Sequence, residues 1–276
     1  DTLAGALVYA RTGDSAYRTK VRNAINSIIG TEDNTDYGCC GKALGIVRNT
    51  SGFVIAADLI DLKTYDPTLD QRFRTFLRKI RDLPQSGLID VHERRPNNFG
   101  THAFGSRVAV DLYLGDQTDL NRAIQVHQGW LGDRTKYSGF SYGDLSWQAD
   151  PSRPVGINPK GSVKLGHNID GVLPDDQRRG GGFSWPPPCE GYVTEALQGI
   201  VAGSEMLHRA GYDAWNWQDQ AVLRAFQWVH SVAGCSFPGD DAWQPWIINR
   251  AYGTNFPVSS ANTGKNMGFT DWTHAR

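Results

Sequence analysis

No stretch of this 276-residue chain approaches the eighteen or more uninterrupted apolar residues of a membrane span, so nothing in it reads as a transmembrane helix. Net charge is nearly absent: 28 Lys and Arg against 29 Asp and Glu leave −1, too little for a general electrostatic grip on nucleic acid or anionic membrane. An anionic partner must therefore be held by local cationic clusters. Cysteine is sparse, at positions 39, 40, 189 and 235, and no C-x-x-C spacing occurs, which removes the zinc-ribbon and thioredoxin-like readings. Adjacent cysteines rarely bond each other. What remains is a long-range bridge from Cys39 or Cys40 to Cys189 or Cys235, or buried free thiols. An initiator Met and a signal segment are also missing from the opening Asp1-Thr2-Leu3, so a processed or trimmed start is expected.

The chain does have the apolar content of an ordinary globular protein, 39% hydrophobic with 21% charged, and a length that suits one large domain spanning 1–276. Nine Trp, ten Tyr and eleven Phe can fill a core or stack on sugar rings. The organising signal is a weak repeat of two amphipathic runs joined by a Gly-Asp or Tyr-Asp turn. Leu7–Ala10 leads through Asp14 to Tyr17–Ile29, and Val54–Leu62 through Asp66 to Leu69–Ile80. Val108–Leu114 leads through Asp116 to Leu120–Trp130, and Ile200–Leu207 through Asp213 to Ala221–Val232. The turn aspartates recur at roughly fifty residues, with the last gap about two periods long, as stacked helix pairs require. Each Asp sits where an N-cap belongs. Apolar residues recur at three and four, as in Leu69, Phe73, Phe76, Leu77 and Ile80, which is a helical period. Residues 131–189 replace the missing pair and are rich in Gly, Pro, Asp and Trp. The reading is all-α: an incomplete (α/α) toroid of antiparallel helical hairpins, with long loops covering its groove and a last short helix near Trp243–Tyr252.

Two constellations carry chemistry. Arg94-Arg95-Pro96-Asn97-Asn98 opens the third hairpin; one Asn suffices as a cap, and His102 follows Asn98 by four residues, on the same helical face. An amide and an imidazole beside two arginines make an anion site, against the simpler reading of a double cap and a core histidine. The second run is Asp170-Gly171-Val172-Leu173-Pro174, then Arg178-Arg179, then Glu190-Gly191-Tyr192 at the next helix start. Arg grips carboxylates bidentately, and a Tyr in a first turn can present its hydroxyl to the groove.

Together these motifs resemble the alginate-lyase-like polysaccharide lyases, helical toroids that cleave uronic-acid polymers by β-elimination. Asn97-Asn98 match the family's Asn pair, residues 170–174 its Asp-Gly-x-Leu-Pro loop, Arg178-Arg179 its basic pair and Tyr192 its tyrosine. The histidine that follows the family's Asn pair is Phe99 here, and His102 is its replacement one turn on. The closing run Gly264–Trp272 is also similar to the ends of relatives. The resemblance implies Asn98, His102, Arg178 and Tyr192 as catalytic residues. Arg94, Arg95, Asn97, Tyr142, Trp147, Arg179, Trp185, Glu190 and Trp272 would then bind substrate.

In such a reaction the uronate carboxylate must be neutralised so that charge can build into an enolate-like intermediate, a task for Asn98 with Asn97 or an Arg. Tyr192 and His102 share removal of the C5 proton and protonation of the leaving oxygen, and no metal or cofactor is demanded. The expected partner is an anionic polysaccharide rather than nucleic acid or a membrane, met by a secreted or periplasmic monomer. Two rival functions stand beside this one. A glycoside hydrolase would need a facing carboxyl pair from Asp144, Asp150, Glu190 and Glu195, and a non-catalytic binder would use Trp147, Trp185 and Trp272 as stacking platforms.

Overall fold

The computed structural model describes residues 2–32, 41–260 and 263–275, and helix dominates them. Helix α1 (Thr2–Thr12) pairs with α2 (Ser15–Ile28), and α3 (Gly41–Leu59) leads through the short α4 (Leu62–Tyr65) to α5 (Pro67–Asp82). After α6 (Leu88–Arg94) come α7 (Asn98–Leu114) and α8 (Gln117–Leu131). A long irregular segment holds β1 (Val163–Lys164), β2 (His167–Asn168) and α9 (Pro174–Gln177); α10 (Gly191–Arg209), α11 (Trp217–Gln227), α12 (Gln244–Tyr252) and α13 (Thr270–Thr273) complete the chain. No helix among the described residues is long and apolar enough to cross a membrane.

The turn aspartates explain where the second helices of the hairpins begin. Asp14 accepts from Ala16 N, Asp66 from Leu69 N and Asp116 from Asp119 N, satisfying first-turn donors that have no intrahelical partner. Asp213 departs from the expected pattern. Its carboxylate accepts from the side chain of Asn216 instead, and Gln218, Asp219 and Gln220 all adopt positive φ before regular helix resumes at Ala221.

The core has two large parts. One gathers Ile25, Ile60, Leu69, Phe73, Leu77 and Leu88 from the first helices; the other gathers Trp147, Trp215, Phe226, Trp228, Trp243 and Ile247, and Met206 packs against both. Trp147 was expected on the surface as a sugar platform, and this is corrected: it is fully buried, with Nε1 donating to Gly181 O at 3.0 Å. The long segment contributes Ile157, Ile169, Val172 and Leu173 to the same core, which is why it needs no helix to hold its shape. The disulfide is a second correction. Cys189 pairs with Cys235 across 46 residues, while Cys39 and Cys40 lie outside the described residues. The bridge ties the approach to α10 to the segment after α11. By loop-closure entropy, Cys235→Ser should destabilise the fold by about 2 to 4 kcal/mol, read as a lower denaturation midpoint.

Helix α7 is buried along nearly its whole length and crosses α10 closely. The crossing depends on two glycines: a Cβ on Gly199 would lie 2.1 Å from Thr101 O, and one on Gly105 would lie 2.8 Å from Gly199 O. This approach sets the starts of the two helices side by side. Behind them His127 stacks on Phe104 with ring centroids 3.8 Å apart, and burial pushes its pKa down to about 3. The folded protein thus keeps this imidazole neutral, while the unfolded chain protonates it below its ordinary value near 6.5. Stability from His127 is present above that value and lost as pH falls toward 3. His127→Phe should therefore gain on the wild type by about 3 kcal/mol between pH 7 and pH 4, measured as the change in the two proteins' stability difference.

Candidate functional site

Asn97 caps α7, its Oδ1 accepting from Phe99 N at 3.3 Å. That leaves Asn98 free for another task. Its backbone N donates to Asp176 Oδ1 at 2.9 Å and its Nδ2 to Glu195 Oε2 at 3.3 Å, so one residue joins α9 to α10. Glu190 caps α10 by accepting from Tyr192 N at 3.1 Å, and Glu195 follows Tyr192 by one turn on the same side of the helix. Two cations converge on Glu195: Arg48 NH2 of α3 at 2.5 Å from Oε2, and Lys265 Nζ at 2.9 Å from Oε1. Lys265 also bonds Asp240 at 2.7 Å. His102, one turn beyond Asn98 and fully buried, holds Asn266 Oδ1 with its Nδ1 at 2.5 Å.

The electrostatics sort these groups. Burial works to raise the Glu195 carboxyl, but the Lys265 hydrogen bond and the Arg48 and Lys265 charges outweigh it and hold the pKa below the ordinary value. Glu195 is therefore anionic. Asp176 is 1% exposed, and burial drives its carboxyl well above the usual range despite the Asn98 N–H. Burial also pushes His102 down to about 4, against the pull of the Asn266 bond, so the imidazole is neutral at pH 7. Several buried polar atoms here have no partner among the described residues: Arg48 Nε, Asn98 Oδ1, His102 Nε2 and Asp176 Oδ2. Folded proteins leave few such atoms, and the four here lie along one hydrogen-bonded chain of residues, which makes this chain the candidate site.

The other sequence-predicted residues are partly drawn in. Arg179 lies over the Tyr192 ring, 4.0 Å from its centroid, and Tyr192 is 38% exposed at the rim. Arg178 bonds Asp175 Oδ1 at 2.9 Å and lies against Gly143, beside the half-buried Tyr142, whose hydroxyl pKa is raised by burial. Arg94 pairs with Asp90 and is exposed, as is Arg95. Trp185 is 37% exposed and stacks on His167 with centroids 4.4 Å apart. Trp272 is exposed on α13, hydrogen-bonded among the described residues only within its own segment. Asp144 and Asp150 are each held by a serine turn, through Ser146 and Ser152, and Glu190 is engaged as a cap.

Sequence reasoning overlooked Arg48, Asp176, Lys265 and Asn266, and it weighed Glu195 only as an acid for hydrolysis. Lys265 and Asn266 do belong to the closing run singled out above, and Glu195 stands three residues after Tyr192. Arg48 carried no local signal, because only the packing of α3 on α7 brings it here. No protein-family model matches the chain, and comparisons with curated proteins and with solved structures find no match either.

Proposed function

We propose that this protein is a polysaccharide lyase that cleaves a uronic-acid polymer of the alginate or glucuronan type by β-elimination, leaving unsaturated uronide ends. The observation that carries the reading is the cluster of buried polar atoms on Arg48, Asn98, His102 and Asp176 that have no partner among the described residues, set beside the partly buried Glu195 and near Tyr192 and Arg179. The helical hairpins are read as one domain curving into an incomplete (α/α) toroid, with the starts of α7 and α10 on the groove floor. Export to the periplasm or outside the cell fits the Cys189–Cys235 bridge.

In this reading Asn98 and the local cations neutralise the substrate carboxylate as C5 loses its proton. Neutral His102 is the proton acceptor of the site, and the Tyr192 hydroxyl at the rim passes a proton to the departing glycosidic oxygen. The bonds balance: C5–H and the C4–O link break, the C4–C5 double bond forms, and the leaving oxygen ends protonated. Arg178, Arg179 and Tyr142 line the approach.

A second reading has one observation in its favour. Burial pushes the Asp176 carboxyl up while Lys265 and Arg48 hold the Glu195 carboxyl down, and both touch Asn98, a divergence of pKa values of the kind an acid and base pair displays. A glycoside hydrolase could use such a pair. One assay separates the two. Incubation with a panel of purified polyuronates should produce ultraviolet absorbance from unsaturated ends; new reducing ends without that absorbance would support hydrolysis, and neither signal would leave only binding.

A further inference from the structure

We propose that Asn266 is the positioning residue of His102: it fixes the imidazole as the tautomer protonated on Nδ1, so that Nε2 presents a lone pair to the site. The inference rests on the reading that His102 belongs to the lyase site, and it follows from the direction of each hydrogen bond around one amide. Asn266 Nδ2 lies 3.1 Å from Val47 O and 3.1 Å from His102 O. Backbone carbonyls only accept, so the atom facing them must be the nitrogen. Two hydroxyls agree. Ser106 Oγ commits its proton to Val47 O at 2.7 Å and Ser51 Oγ commits its own to Asn266 O at 2.8 Å, leaving both as acceptors for Nδ2 at 3.2 Å.

With the nitrogen so placed, Asn266 Oδ1 is the atom that faces His102 Nδ1 at 2.5 Å, and a carbonyl oxygen there requires a proton on Nδ1. A neutral imidazole carries one proton, so Nε2 is the acceptor, and this nitrogen is buried and unpartnered among the described residues. The amide itself is rigidly held. Asn266 N donates to Arg48 O at 2.8 Å, and its backbone adopts φ 67°, a left-handed conformation that Asn tolerates better than most residues. The charged groups that face His102 are Arg48 from α3, Glu195 from α10 and Lys265 from the closing segment, with the neutral Asn98 on its own helix. Two cations against one anion oppose protonation of the ring. Asn266 thus decides which nitrogen is bare, while burial keeps the ring uncharged.

Carbon-13 and nitrogen-15 NMR of the imidazole carbons and nitrogens in the wild-type protein at neutral pH tests the assignment without any substrate. The Nδ1–H pattern is expected for His102; an Nε2–H pattern or an imidazolium overturns the proposal. Asn266→Ala should release the ring toward Nε2–H and lower kcat about 10- to 100-fold with little change in KM, the scale of loss when a group orienting a functional imidazole is removed. Retention of the Nδ1–H pattern in this variant would overturn the part given to Asn266. If the variant does not fold, the wild-type spectrum still decides. Failure of the lyase reading is distinguishable: no unsaturated ends from any polyuronate, together with an Nδ1–H spectrum, would sink the reaction but not the positioning.

Discussion

Tyr192→Phe is expected to lower the production of unsaturated ends by roughly 10² to 10⁴, the range for loss of a positioned proton donor or acceptor. The substitution removes one oxygen. Tyr192 is 38% exposed, and its ring keeps the Arg179 contact at 4.0 Å whether or not the hydroxyl is present. Its backbone N bond to Glu190, which caps α10, is likewise untouched. Thermal midpoint and polymer affinity should therefore stay near wild type while turnover collapses. A Phe variant with undiminished elimination would move the proton to another group, with Tyr142 the next to test because it lies beside Arg178 through Gly143.

Asn98→Ala should cut kcat by roughly 10² to 10³ with a much smaller change in KM, the pattern for a donor that matters most as negative charge develops. Here the structure adds a complication that sequence did not foresee. Asn98 Nδ2 already donates to Glu195, which is itself held by Arg48 and Lys265. Truncation removes that bond as well as the proposed contact to substrate, so some stability is lost too. Asn98→Asp sharpens the test. It keeps the size but trades the donor for a second carboxylate against Glu195, and it should be at least as inactive as the Ala variant. A fully active Asp variant would show that Asn98 neutralises nothing.

Several residues of the candidate site were legible because the patterns that mark them are local. An Asn pair, a basic pair and a helix-opening Tyr are short patterns whose roles at helix starts follow from unsatisfied backbone donors. What joins them is not local. Asp176 reaches Asn98 across 78 residues and Asn266 reaches His102 across 164, separations at which no periodicity operates. The aromatic residues failed for a related reason. Trp147 and Trp185 look alike in sequence, yet one is sealed in the core and the other is 37% exposed, because burial belongs to the packing of the long segment and not to residue type.

By itself the sequence determined the helical pairs, through apolar residues at three and four and through Asp14, Asp66 and Asp116 at the turns, since capping and amphipathicity act within one or two turns of chain. It also determined which stretch would be irregular. Only the tertiary structure decided that Cys189 meets Cys235, that Asp213 caps nothing, and that Arg48 and Lys265 flank Glu195. The close crossing of α7 and α10 at Gly105 and Gly199 underlies the last of these. It brings two helix starts and the closing segment to one place, and there the buried charges and amides settle each other's protonation, an outcome that depends on distances between elements and on the loss of water around them.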